Sequence, residues 1–128
     1  MKKIILLMAF VATSLFADLN WVKYSAAIKQ AKAENKIVMV MLSKQGCPAC
    51  EYMKDIVFES ENVMKEFDKH FIAVYIDIHD DYIPNGLTFI GTPTFHFLSK
   101  YEMKIDRIDG GVNAKTFIDK LKELEVKH

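Results

Sequence analysis

The sequence predicts a single α/β domain in which helices flank a central sheet. Two short apolar runs, within residues 36–43 and 71–78, are bounded by polar residues, as expected of strands buried on both faces. Stretches with the apolar spacing of helices alternate with these runs along the chain. The length of 128 residues, with 51% hydrophobic and 27% charged residues, fits one globular domain and is too short for two.

The predicted elements begin at residue 24 and alternate in type. Ser25 and Asn113 are candidate caps for the first and last helices. The last predicted strand alternates polar and apolar residues and ends in a glycine pair, which indicates a short, half-exposed edge strand in a hairpin. The pattern predicts helices over residues 24–36, 51–57, 60–70 and 113–128, and strands over residues 36–43, 71–78, 94–99 and 104–111.

Residues 1–17 have the layout of a secretory signal peptide. Lys2 and Lys3 precede an apolar run that ends in small residues and contains no acid. The run is shorter than the roughly 20 residues that a membrane-spanning helix needs. We therefore expect cleavage after Ala17, a domain over residues 18–128, and a periplasmic or otherwise exported protein. The mature chain keeps 15 basic and 17 acidic residues, a balance that does not indicate binding to nucleic acid or anionic lipid.

The only two cysteines, Cys47 and Cys50, form a Cys-Pro-Ala-Cys motif with three alternative interpretations. A structural staple that closes so short a loop adds about 2 kcal/mol, and a domain of this size folds without one. A metal site for Cu(I) or zinc would use both thiolates, but the four histidines form no second spaced pair of ligands. The third interpretation, a redox dithiol, agrees best with the neighbouring residues.

The motif lies between a predicted buried strand and a predicted helix. Pro48 suits the first helical position, so Cys47 falls at the helix N-terminus, where unpaired N–H groups favour a thiolate. Lys44 adds a nearby positive charge. Cys50 follows one turn later and is more shielded. An exposed attacking thiol with a resolving thiol in reach is what reversible disulfide exchange requires.

The mature chain resembles the thioredoxin-fold family over essentially its whole length. Three features carry the resemblance: the Cys-Pro-Ala-Cys motif between strand and helix, the GTPTF sequence at residues 91–95, and the pair Gly110 and Gly111 before the last helix. The spacing of residues 47–63 is similar to that in the C-terminal periplasmic domain of the membrane reductase DsbD and in small periplasmic thioredoxin-like proteins. The resemblance implies an α/β thioredoxin fold with a central mixed sheet.

The resemblance also implies functional roles. Cys47 would be the attacking thiol and Cys50 the resolving thiol, beside a cis Thr92–Pro93 bond. The backbone of Thr92 would pair with an extended segment of a partner. We therefore expect an exported, monomeric thiol–disulfide oxidoreductase without a bound cofactor or metal. Its partners would be protein thiols or disulfides, and a membrane donor would supply its electrons.

Two positions depart from the family pattern. Many thioredoxins carry a buried acid six positions before the first cysteine, where this chain has Met41. The aromatic residue that usually precedes that cysteine is replaced by Gly46. Both changes favour a specialised partner, and the uncharged Pro-Ala pair between the cysteines favours a reductant. A Cu(I) or zinc carrier that uses the same dithiol is the alternative from a different functional class.

Overall fold

A computed structural model describes residues 19–128, so the predicted signal peptide and its cleavage site lie outside the described residues. The elements within this range follow the predicted order. No helix among them is both long and apolar enough to cross a bilayer. In chain order the elements are α1 (Tyr24–Glu34), β1 (Ile37–Ser43), α2 (Pro48–Tyr52), a π-helical segment (Met53–Val57), α3 (Glu61–His70), β2 (Phe71–Asp77), β3 (Thr94–Leu98), β4 (Lys104–Asp109) and α4 (Ala114–Lys127).

The strands form one mixed sheet in the order β2–β1–β3–β4. β1 pairs with β2 in parallel and with β3 antiparallel, and β3 and β4 form an antiparallel hairpin. Every residue of β1 is buried, because helices cover both faces of the strand. β4 lies at one edge of the sheet and buries only Ile108. The predicted mixed sheet and its half-exposed edge strand are confirmed.

β1 divides the core into two apolar clusters, since alternate side chains of a strand point to opposite faces. Met39 and Met41 belong to the cluster beneath α2, α3 and α4, which also contains both cysteines. Val40 and Leu42 belong to the cluster beneath α1. The cysteine pair is therefore built into one apolar layer of the domain.

Phe58, directly after the π-helical segment, is central to the aromatic packing of the layer that holds the cysteines. Its side chain is 1% exposed. Its ring packs edge-to-face on Phe117 with centroids 5.2 Å apart, and on Phe95 and Trp21 at 5.9 Å each. Such pairs contribute about 0.5–1.5 kcal/mol each beyond the burial of their area. These contacts tie the chain that follows α2 to β3 and α4.

The helix starts agree with the sequence prediction at α4 and disagree at α1. The side-chain oxygen of Asn113 accepts a hydrogen bond from the Thr116 N–H at 2.9 Å, which confirms the predicted cap. α1 begins at Tyr24, and Lys23 holds its cap position without a side-chain hydrogen bond. The predicted Ser25 cap is wrong, because that residue already lies within the first turn.

Candidate active site

The turn between β1 and α2 places Cys47 at the N-terminus of α2. Gly46, immediately before it, has a φ of 70°, a left-handed conformation that residues with a side chain rarely adopt. The glycine that replaces the usual aromatic residue thus meets a backbone requirement of this turn. Pro48 occupies the first helical position, as predicted, where its missing N–H leaves no hydrogen bond unmade.

Cys47 and Cys50 form a disulfide, with their Cα atoms 5.2 Å apart. Cys47 is 5% exposed and Cys50 is 1% exposed. The expectation of an exposed attacking residue is therefore wrong for the oxidised protein, because the loop that carries Thr92 packs against Cys47. The expected order still holds, since Cys50 is the more shielded of the two.

Two donors and one acceptor face the sulfur of Cys47. The Cys50 N–H donates to this sulfur at 3.2 Å, and the Thr92 hydroxyl donates to it at 3.4 Å. The carbonyl oxygen of Thr92 lies 3.5 Å from the same sulfur. When the disulfide is open, the two donors stabilise a thiolate, and the carbonyl can accept a hydrogen bond from a thiol. The sulfur of Cys47 thus has a partner in either protonation state.

The Thr92–Pro93 peptide bond is cis. Its loop is hydrogen-bonded to the chain on both sides. The Gly110 N–H donates to the carbonyl of Pro93, and the Thr94 hydroxyl donates to the carbonyl of Gly91, each at 2.8 Å. The GTPTF loop and the glycine pair, two features that carried the family resemblance, are therefore joined directly beside the cysteines.

Met41 is fully buried in the same apolar cluster as both cysteines. Its thioether cannot accept a proton from Cys50, and the buried carboxylate in the described part of the chain, Asp77, accepts hydrogen bonds from backbone N–H groups of its own turn. Lys44 and Glu51 are exposed. Among the described residues, neither side chain hydrogen-bonds to the sulfur of Cys47. The proton of Cys50 therefore has to reach solvent without a carboxyl at position 41.

The histidines do not extend the cysteine pair into a larger ligand set. His70, His79 and His128 are exposed, and His96 is buried in β3. Across residues 19–128, no three His, Cys, Asp or Glu residues are grouped in a way that could hold a metal ion. Within this range, a metal carrier would depend on the two sulfurs alone.

His96 makes a contact that the sequence did not predict. Its Nε2 lies 2.7 Å from the carbonyl oxygen of Thr88. Burial lowers the pKa of His96, and the positive charges of Arg107 and Lys104 lower it further, against the opposing effect of the Thr88 hydrogen bond. The neutral ring therefore donates its Nε2–H to that carbonyl. The available signal was a histidine within an apolar strand, since a buried polar group needs a partner.

The sequence matches the thioredoxin-like domain family over residues 24–125. A thioredoxin from Thermus thermophilus is 26% identical and superposes with a TM-score of 0.73, covering 86% of this chain and 89% of that chain. The reduced DsbD C-terminal domain of Neisseria meningitidis, at 20% identity, superposes with a TM-score of 0.59 over 77% of this chain and 91% of that chain, which is a likeness of fold alone. An Archaeoglobus fulgidus protein, described as uncharacterized, is 26% identical over 87 residues, covering 65% of this chain and 68% of that protein.

The family match and the Thermus structure confirm the predicted thioredoxin fold. The match covers all of the described helices and strands from α1 to most of α4, and it includes the cysteine motif and the Thr92–Pro93 loop. A disulfide between a strand and a helix N-terminus supplies the redox pair that this fold presents. The chain belongs to the thioredoxin-like domain family, and its Cys47–Cys50 pair makes it a thiol–disulfide oxidoreductase.

Proposed function

We propose that this protein is exported and reduces disulfides in partner proteins, with Cys47 as the attacking thiol and Cys50 as the resolving thiol. The observation that carries the proposal is the environment of the Cys47 sulfur. It lies at the N-terminus of α2 and is faced by the Cys50 N–H and the Thr92 hydroxyl. Both donors favour the thiolate, which is the form that attacks a disulfide.

Reduction proceeds in two exchange steps. The Cys47 thiolate attacks one sulfur of the partner disulfide, and the other partner sulfur leaves as a thiolate with the electron pair of the broken bond. Cys50 then loses its proton to solvent and attacks Cys47, which releases the second partner thiolate and forms the Cys47–Cys50 disulfide. Two electrons have passed to the partner, whose thiolates take up protons from water. A membrane-bound donor would reduce the protein again.

Thr92 and Pro93 are the proposed contacts for the partner's backbone. Thr92 is partly exposed and lies directly against Cys47. An extended segment that brings its own sulfur to Cys47 would pass alongside Thr92 and could form main-chain hydrogen bonds with it, a short form of strand addition. We expect the protein to act as a monomer, without a cofactor or a nucleic acid partner.

The reducing direction is proposed from the groups around the motif. Pro48 and Ala49 carry no charge, and the donors that face the Cys47 sulfur are neutral. A strong oxidant stabilises its reduced form far more than such neutral groups can, and its potential is about −120 mV, whereas that of thioredoxin is about −270 mV. A glutathione buffer poised at about −180 mV should leave the pair mainly oxidised, as scored by thiol trapping. A mainly reduced pair in that buffer would identify an oxidant.

Trapping of partners tests the roles of the two cysteines. Cys50→Ser should leave Cys47 able to attack a partner disulfide but unable to release the product. Mixed disulfides should therefore accumulate in the compartment to which the protein is exported. The matched variant Cys47→Ser should form none. If Cys50→Ser traps nothing and a metal titration of the wild type shows tight Cu(I) binding, the carrier alternative replaces this proposal.

Export is the third component of the proposal. It rests on the Lys2–Lys3 start, the short apolar run and the small residues that end at Ala17. N-terminal sequencing of the mature protein should begin at or near Asp18, which would give a domain over residues 18–128. A full-length chain retained in the membrane would contradict cleavage.

A further inference from the structure

His96 is a polar residue at the centre of an apolar strand. It is 2% exposed, and its neighbours in β3, Phe95 and Phe97, belong to the apolar layer that holds the cysteines. Because side chains alternate along a strand, the ring of His96 projects to the other face of the sheet. Burying an imidazole there is costly unless it is hydrogen-bonded. Its hydrogen-bond partner is the carbonyl oxygen of Thr88, 2.7 Å from Nε2.

Thr88 begins the short segment that leads to the active site. Residues 88–92 run from this hydrogen bond to Thr92, whose hydroxyl and carbonyl both contact the sulfur of Cys47. The segment lies outside the helices and strands, so it depends on side chains from the sheet for its position. Arg107 Nη1 gives a second, longer contact by donating to the Thr88 hydroxyl at 3.3 Å. The Thr94 hydroxyl holds the same segment at the Gly91 carbonyl, at 2.8 Å. The His96 bond is the shortest of the three and comes from the centre of β3.

The same segment presents an apolar side chain to solvent. Ile90 is 97% exposed and Phe89 is 38% exposed. Ile90 is two residues from Thr92, so a partner segment that reaches Thr92 passes next to it. An exposed isoleucine gains free energy when a partner covers it. The position of this side chain, like that of Thr92, depends on how residues 88–92 are held.

We propose that His96 is a positioning residue, which holds residues 88–92 through the Thr88 carbonyl so that Thr92 and Ile90 meet an extended, apolar segment of a partner protein beside Cys47. This inference rests on the proposed reduction of protein disulfides. His96 touches neither the reacting sulfurs nor the partner, and it acts through the loop alone. Its loss should weaken the binding of a protein substrate, which uses both Thr92 and Ile90, more than the reaction of the sulfur, which keeps the Cys50 N–H donor.

A comparison of two substrates separates binding from chemistry. Pre-reduced protein is mixed in single turnover with insulin, a protein disulfide, or with Ellman's reagent, a small aromatic disulfide. Each reaction takes two electrons from the Cys47–Cys50 dithiol, yields two thiols from the substrate and leaves the dithiol as a disulfide. Insulin needs the loop in place for binding, whereas the small disulfide needs only the Cys47 sulfur and the donors beside it.

His96→Leu should raise the insulin concentration at half-maximal rate about tenfold and leave the limiting rate within about twofold. Its rate with Ellman's reagent should stay within about twofold of the wild type. His96→Gln keeps an N–H donor and should restore most of the insulin binding. An equal loss with both substrates, or no rescue by glutamine, would mean general damage to the site and would overturn the inference.

A surface variant tests the same loop without changing the core. Ile90→Ser should weaken insulin binding several-fold and leave the reaction with Ellman's reagent unchanged, and its folding is not at risk because the side chain is exposed. The matched control is Val126→Ser, an 88% exposed aliphatic residue near the end of α4. Unchanged insulin kinetics in both His96→Leu and Ile90→Ser would overturn the inference and leave the proposed function intact. A wild type that reduces Ellman's reagent but not insulin would overturn both.

Discussion

The rate of partner release should depend steeply on pH, because Met41 stands where many thioredoxins carry a buried acid. In the proposed mechanism Cys50 attacks as a thiolate, and below the ordinary pKa of a thiol, about 8.5, each pH unit changes the thiolate fraction about tenfold. Since the buried side chain at position 41 is a thioether and not a carboxylate, the release rate should rise about tenfold per pH unit between about pH 6 and 8. Met41→Asp would place a carboxyl there. Above the pKa of that new carboxyl, which burial raises from about 3.9 toward neutrality, the release rate should level off.

The stability cost of this substitution follows from burial. Met41 is fully buried, and truncating a buried methionine costs about 2–5 kcal/mol before the polar group is counted. We expect a loss of about 4 kcal/mol, which a domain with about 5–15 kcal/mol of stability survives. Met39→Asp is the matched control. It is equally buried on the same face but lies about 6.6 Å further along the strand from the motif, so it should cost similar stability without changing the pH profile.

The two phases of the reaction with Ellman's reagent measure this step. Attack by Cys47 releases the first coloured thiolate, and attack by Cys50 on the mixed disulfide releases the second. Stopped-flow traces from about pH 6 to 8 give the second rate directly, and Cys50→Ser should show only the first phase. A wild-type second phase that does not vary with pH, or identical profiles for Met41→Asp and the wild type, would refute the reasoning.

Three further predictions concern stability. Gly46→Ala forces a side chain into the left-handed conformation and should lower the free energy of unfolding by about 1–2 kcal/mol in urea titrations. The control is Gly91→Ala, which adds a Cβ in open space at a residue without a positive φ and should change the free energy of unfolding by less than about 0.5 kcal/mol. Asn113→Ala removes the α4 cap and should lower the free energy of unfolding by about 1 kcal/mol, whereas Asn113→Ser keeps a capping oxygen and should preserve most of that stability. Equal urea midpoints for the wild type and the alanine variant would contradict this role. Because burial lowers the pKa of His96, the unfolded chain binds more protons at this residue than the folded chain does. The free energy of unfolding should therefore fall as the pH drops below about 6.5. His96→Gln should remove the share of this fall that comes from His96, as measured by urea midpoints.

The architecture was predictable because its signals are local. The two apolar runs became β1 and β2, and the proline after Cys47 marked the start of α2. Apolar periodicity likewise predicted α4 together with its Asn113 cap. Each of these signals depends on spacing within a few residues, which the sequence displays directly.

The details of the site depend on residues that are far apart in the chain, and there the sequence was less informative. Cys47 was expected to be exposed, but the loop at Thr92 covers it. His96 was correctly placed within a strand, yet nothing in the local pattern indicated Thr88 as its partner. The π-helical geometry of residues 53–57 was also not predicted, because its apolar spacing there is that of an ordinary helix.

The two groups that donate to the Cys47 sulfur differ in their distance along the chain. Cys50 is three residues away, whereas Thr92 is 45 residues away. Closing a short loop needs little ordering of the chain, while the distant contact requires the assembled sheet. An unfolded chain can therefore already form its disulfide, but it lacks the contact between Thr92 and Cys47 beside which we propose that a partner binds. Under the proposed function, the disulfide can form before the sheet is complete, whereas discrimination between partner disulfides requires the complete sheet.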